Sequence, residues 1–298
     1  MVFGVIALVA GAMGWLLLRE AAHMSFTKAR VLNTKDPAVL TRRDMPGFVR
    51  QRPDSPRLAA FRKCIEGIGT TDCDALFLAT QVRHWVRSLQ SDSRAMWCAP
   101  FGRETEDPLR LLREIREGKP GSCRRFAYLL TGAALSVGLD ARIVVASAHF
   151  DGRTPPHHCM VEVWAAELGK WVLLDPSFDA TFCVDGQPAT LLEVYFALQK
   201  GEVDRISLFR HGTSAPYLAR VEYYRQAFKH IYVACSNAIF DGYHVSLVGK
   251  KRITFLHFVD LHVPPYPERR KQFLLVSGFV SLLLAMASLL YEVSAMLP

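Results

Sequence analysis

Residues 121–138 read GSCRRFAYLLTGAALSVG, and the punctuation of this stretch decides the fold class. Ser122 offers the side-chain acceptor that starts a helix, and Gly138 stands where a left-handed residue ends one. Between them Phe126, Leu129, Leu130, Ala133, Ala134 and Val137 recur at helical spacing, so one stripe of the helix is apolar and seeks a core. Upstream, Ala75, Leu76, Ala79, Val82, Trp85, Val86 and Leu89 predict an amphipathic helix over 74–89, and 108–116 reads as a shorter one. Downstream, β-branched residues predict strands over 141–148, 159–164 and 170–174, with Gly169 separating the last two. Past Pro188 the pattern predicts helices over 191–199 and 221–238 and strands over 245–248 and 252–258. Helices come first and strands afterwards, without βαβ alternation, which is the order of an α+β domain.

The chemistry starts at the head of the same helix. Cys123 occupies the first turn, where free backbone N–H groups and the positive end of the macrodipole favour a thiolate. Arg124 and Arg125 add positive charge beside it. A thiolate attacks carbonyl carbon, provided a base takes its proton and a third group orients that base. His158 opens the string His158-Cys159-Met160-Val161-Glu162-Val163-Trp164, and Asp175 ends Trp171-Val172-Leu173-Leu174-Asp175. Two neighbouring strands joined through Gly169 bring these ends together, so imidazole and carboxylate can pair. Glu162 lies on the same strand face as His158 but four residues along, and reads as structural. His157, His158 and Cys159 alternate across the strand and do not share one ion, so no metal site is expected.

Gly-Ser-Cys opening a Gly-terminated helix, then Ala141-Arg142-Ile143-Val144, His158 with Glu162-Val163, and Trp171 with Asp175-Pro176 resemble the transglutaminase-like superfamily over roughly residues 75–180. The resemblance is to its bacterial, membrane-anchored type of member. It implies a papain-like α+β core, a helix bearing Cys123 packed on an antiparallel sheet bearing His158 and Asp175. It also implies acyl transfer or hydrolysis at a peptide or carboxamide bond through a thioester, with a protein or peptide as substrate. A Trp upstream of the nucleophile stabilises the oxyanion in animal members, which makes Trp85 and Trp97 the candidates here. Met160 stands where the family commonly has Trp, and Cys159 where a small residue is usual. No calcium-binding acidic loop and no cofactor are expected. The competing function is a catalytically silent scaffold or partner-binding module of a membrane assembly.

The ends of the chain differ from this middle. Val2–Leu18 and Phe273–Tyr291 are uncharged apolar runs of the length that crosses a bilayer, roughly 17–20 residues. They predict flanking transmembrane helices within 1–20 and 266–298, hence a two-span integral membrane protein. The chain of 298 residues carries a net charge of +8. Eleven Lys and Arg against four Asp and Glu between Arg19 and Lys63 account for +7 of it. Residues 21–63 therefore read as a basic juxtamembrane linker, with 19–63 suited to an anionic membrane surface. The positive-inside rule then puts the central domain in the cytoplasm. Residues 64–190 read as the catalytic domain and 191–265 as a C-terminal extension packed on it. The basic stretch lacks interleaved aromatics and any nucleic-acid motif, so nucleic acid is not an expected partner. A 21% charged fraction with 11% aromatic residues excludes a disordered chain. Seven cysteines without a CxxC pair exclude a zinc-ribbon or thioredoxin-type site, and Cys64 and Cys73 are a pair that an oxidising compartment would join.

Overall fold

A strand covered on both faces is buried along its whole length, and Ala141–Ser147 shows it, with all seven residues buried, Arg142 included. Ala141, Ile143 and Val145 enter one core, while Val144 and Ala146 enter another on the far side of the sheet. The computed structural model describes residues 2–24, 30–33, 38–45, 47–65, 68, 73–90, 107–148, 157–210, 213–216, 221–241, 255–259 and 268–296. These divide into two compact units, 29–259 and the two chain ends, 1–28 with 260–298.

The larger unit runs β1 (Arg30–Asn33), α2 (Ala38–Thr41), α3 (Pro56–Arg62), α4 (Ala75–Ser88), α5 (Pro108–Arg116), α6 (Cys123–Ser136), β2 (Ala141–Ser147) and β3 (His157–Ala165). It continues with β4 (Lys170–Asp175), β5 (Ala180–Val184), β6 (Gln187–Pro188), α7 (Leu191–Gln199), β7 (Ile206–Arg210), β8 (Thr213–Pro216), α8 (Val221–Ala227), β9 (His230–Ala234) and β10 (Phe255–Val259). The strands form one sheet in the order β1-β10-β9-β2-β3-β4-β5-β7-β8, with β6 paired to β5. Every pairing is antiparallel except β1 on β10. Residues of α3–α6 share the first core with the sheet, and those of α7 and α8 share the second. This is the α+β architecture expected, with a cysteine-bearing helix on an antiparallel sheet.

Both ends of α6 follow the sequence. The Ser122 side chain accepts from the Arg125 N–H. Gly138, at φ +88°, lets the Gly138 and Leu139 N–H groups reach the Leu135 and Ala134 carbonyls. Within 21–63, Leu40, Met45, Leu58 and Phe61 are buried, so that basic stretch contributes to both cores. The helix expected over 221–238 is corrected: it ends at Ala227, and His230–Ala234 is strand β9 between β2 and β10. Period 2 wins there, because Ile231 and Val233 fill one core while Tyr232 and Ala234 fill the other. The strand expected over 252–258 is present at Phe255–Val259, whereas 245–248 lies outside the described residues. Cys64 and Cys73 are free thiols.

The smaller unit is a helix pair, α1 (Val2–Met24) and α9 (Glu268–Met296). A Cβ on Gly14 would fall 2.9 Å from the Gly278 carbonyl oxygen, so the backbones meet where neither residue has a side chain. Ala7 and Ala285 are buried, and Leu8, Trp15, Leu283 and Leu290 are exposed. Among the described residues no helix is long and apolar enough to cross a membrane. The flanking transmembrane helices and the two-span placement are therefore unsupported, and the positive-inside argument for a cytoplasmic domain loses its premise.

Candidate functional site

Cys123 is the first residue of α6, and the turn before it is held from two sides. The Gly121 N–H donates to Gln90 Oε1 at 2.8 Å, and a Cβ on Gly121 would collide with the Phe126 ring. Arg125 donates to the Pro120 carbonyl at 2.5 Å and pairs with Glu114 on α5. Its charge is thus met by a carboxylate, and Arg124 lies over the Tyr128 ring, 5.8 Å from the centroid. The charge support for a thiolate expected from these two arginines is corrected on that ground.

The sulfur's partners come from β3 instead. Cys159 and His158 are the side chains that lower the Cys123 thiol most. The Cys159 hydrogen bond lowers the Cys123 thiol most; burial pushes it up, and the His158 hydrogen bond and charge pull it down again, leaving it well below the ordinary thiol value. Strand alternation sends Cys159 toward the helix layer with Val161 and Val163, whereas Met160 faces the opposite core.

His158 and Asp175 complete the series. His158 Nε2 donates to Asp175 Oδ2 at 2.7 Å, and both residues are buried. Asp175 also accepts from the Ser177 N–H at 2.8 Å, the Phe178 N–H at 3.2 Å and the Tyr224 hydroxyl. Burial pushes the Asp175 carboxyl up, but His158, Tyr224 and Ser177 more than offset it and hold the group ionised. Burial likewise lowers His158, while the Asp175 charge and hydrogen bond and the Cys123 sulfur raise it to about 10. The imidazole is stacked on Phe178 at 5.4 Å and meets Tyr224 edge-on at 5.5 Å. This favours an ionised sulfur beside a protonated, carboxylate-anchored imidazole.

The structure therefore brings Cys123, His158 and Asp175 together. Trp85 packs, half-buried, at the rim of the helix-side core, and Trp97 lies outside the described residues. Glu162 pairs with Arg142 at 2.5 Å and accepts from the Leu191 N–H at 2.8 Å. Among the described residues no three His, Cys, Asp or Glu side chains converge on a metal site.

Three participants were not foreseen. Tyr224 stands 49 residues beyond Asp175 on a different element, and no local motif marks it. Gln90 follows α4 and reaches a loop 31 residues on. Arg83, fully buried, donates to Asp179 at 2.8 Å while His84 Nδ1 meets the other oxygen at 2.8 Å, tying α4 to the turn after Asp175. An Asp in a Pro-Ser-Phe-Asp turn is the available signal, since Asp179 has φ +51°.

Residues 68–176 match the family model of the transglutaminase-like superfamily, so this stretch is a transglutaminase-like domain. The antiparallel sheet with its helices fits the core of that family. No curated protein and no solved structure matches the chain.

Proposed function

We propose that the protein is a transglutaminase-like cysteine acyltransferase or hydrolase acting on a peptide or carboxamide bond of a protein or peptide substrate. The observation that carries this reading is the buried His158–Asp175 hydrogen bond at 2.7 Å, with His158 and the Cys123 thiol each shifting the other's proton affinity. The Cys123 thiolate adds to the substrate carbonyl, and the Cys123 backbone N–H donates to the oxyanion. The C–N bond then breaks, and His158 gives its proton to the departing amine or ammonia. Water or an amine attacks the thioester, His158 takes the proton of the attacking group, and the thiolate leaves. Asp175 holds the imidazole in place and stabilises its protonated form.

Alkylation tests this directly. The full chain is treated with iodoacetamide near neutral pH and the modified cysteines are mapped by mass spectrometry. Cys123 is expected to react ahead of Cys64, Cys73, Cys183 and Cys235; if it reacts no faster than they do, the nucleophile is lost and a silent scaffold is the better reading.

The basic stretch 19–63 is proposed to meet anionic lipid headgroups, but with less than its formal charge. Arg43 and Arg50 face Asp140, Arg50 also Asp44, Arg52 faces Asp241 and Arg57 faces Asp107.

A further inference from the structure

We propose that Tyr224 is a positioning residue of the catalytic series: its hydroxyl shares the Asp175 oxygen that holds His158, and this sharing keeps the imidazole able to release its proton. The inference rests on the function proposed above and deepens it by adding a fourth side chain, which acts through Asp175 rather than on the substrate. Tyr224 lies on α8, outside the residues 68–176 that match the family, so the C-terminal part of the chain contributes to the site.

Four donors meet Asp175, two on each oxygen. Oδ1 accepts from the Ser177 N–H at 2.8 Å and the Phe178 N–H at 3.2 Å. Oδ2 accepts from His158 Nε2 at 2.7 Å and from the Tyr224 hydroxyl. The two backbone donors already fix the plane of the carboxylate, so the hydroxyl is not needed to orient it. What the hydroxyl changes is the charge left on Oδ2. Two donors on one oxygen draw on the same electron density, so each is held less tightly than it would be alone. A hydrogen bond to an ionised group also stabilises the ionised form. Tyr224 therefore keeps Asp175 an anion when His158 is neutral, and weakens the grip of Asp175 on the His158 proton.

The ring holds the hydroxyl in place. Tyr224 is fully buried, with the Phe182 ring edge-on at 5.3 Å and the Phe178 and Phe228 rings each at 6.0 Å. It also meets the imidazole edge-on at 5.5 Å while Phe178 stacks on it at 5.4 Å, which holds the base against Oδ2. A hydroxyl that only needed an acceptor would be served by a backbone carbonyl. This one is aimed at the oxygen that already carries the imidazole. Around the pair stand Arg83 from α4, whose charge acts with that of Asp175, and Cys123 from α6. His157 and Cys159 on β3 act on Cys123 in turn. A change confined to the Tyr224 hydroxyl leaves all of these groups in place.

The test mixes the full chain with 4-nitrophenyl acetate. The Cys123 thiolate adds to the ester carbonyl, the C–O bond breaks and 4-nitrophenolate leaves, which a burst of absorbance records. Water then attacks the thioester, His158 takes a proton from it, and the C–S bond breaks to release acetic acid and the thiolate. This second step needs neutral His158, so its rate against pH reports the proton affinity of the imidazole. In Tyr224→Phe a burst of wild-type height is expected, which shows a folded site. The inflection of deacylation moves up by about one pH unit, and the rate below it falls about tenfold. Phe182→Leu loosens the same ring packing but keeps the hydroxyl, and its inflection is expected to stay with the wild type. 3-Fluorotyrosine at position 224, a stronger donor on the same ring, is expected to move the inflection down. It decides the matter if the phenylalanine variant does not fold. The proposal is overturned if the inflection ignores these changes at the hydroxyl, or if Phe182→Leu moves it as far. A wild type without a burst overturns the function itself, and the role of Tyr224 falls with it.

Discussion

Strand β3 carries two buried acid–base pairs four residues apart, and they behave as opposites. Glu162 meets Arg142 at 2.5 Å, where Arg142 also reaches the Leu40 carbonyl and lies 4.2 Å from the centroid of the Trp171 ring. His158 meets Asp175 at 2.7 Å and helps to lower the Cys123 thiol. A guanidinium does not give up its proton in a protein, so the first pair can only hold chain segments together. It ties the segment before α3 and the N-terminus of α7 to the middle of the sheet. An imidazolium can give up its proton, and the second pair stands beside a sulfur able to exchange it. The same strand thus carries a clamp at its middle and a proton carrier at its start, and the difference lies in the cation's chemistry and its neighbour rather than in burial.

Breaking the clamp has the largest effect expected. Arg142→Leu leaves Glu162 charged and buried, which costs about 3–5 kcal/mol. Urea unfolding measures this, and pairing the change with Glu162→Leu recovers most of the loss. If Arg142→Leu costs under about 1 kcal/mol, Glu162 is not held as a buried charge and the contrast collapses.

A smaller loss comes from the carboxylate's other side. Tyr224→Phe keeps the ring against His158 and removes only the hydroxyl that donates to Asp175. A hydrogen bond to a charged group is worth roughly 1.5–3 kcal/mol, so urea unfolding is expected to register a loss of that order. An unchanged midpoint would show that the C-terminal part of the domain does not support the pair.

The last comparison is of proton affinities. The Cys123 thiol is lowered well below its ordinary value and His158 is raised to about 10, which favours the charged pair over the neutral one. The rate of Cys123 alkylation is expected to stay flat as pH falls from 9 through neutrality. An unperturbed thiol would lose about tenfold for each unit below its pKa. His158→Gln keeps a donor for Asp175 but removes the positive charge, and moves the inflection upward. A wild-type rate that rises tenfold per unit between pH 7 and 8 would show that the sulfur is still protonated there.

Much of this site was legible because its signals are local. A cap, an apolar stripe and a terminal glycine place Cys123 at a helix start, and two strands joined through Gly169 carry His158 and Asp175 on neighbouring segments. The support around them was not legible, because it comes from distant partners. Nothing near Tyr224 or Gln90 announces that one donates to Asp175 and the other accepts from Gly121. The arginines after Cys123 misled for the same reason: Glu114, on a preceding helix, meets Arg125. The helix expected over 221–238 failed after Ala227 because apolar residues buried on both faces satisfy either period.

The sequence by itself determined that this is an α+β chain with a cysteine at a helix start and a histidine and aspartate on successive strands, because capping, periodicity and turn chemistry act within a few residues. Only the tertiary structure decided which groups set the proton affinity of the sulfur. Cys159 and His158, far along the chain on β3, lower the Cys123 thiol, and no close neighbour in the sequence announces it.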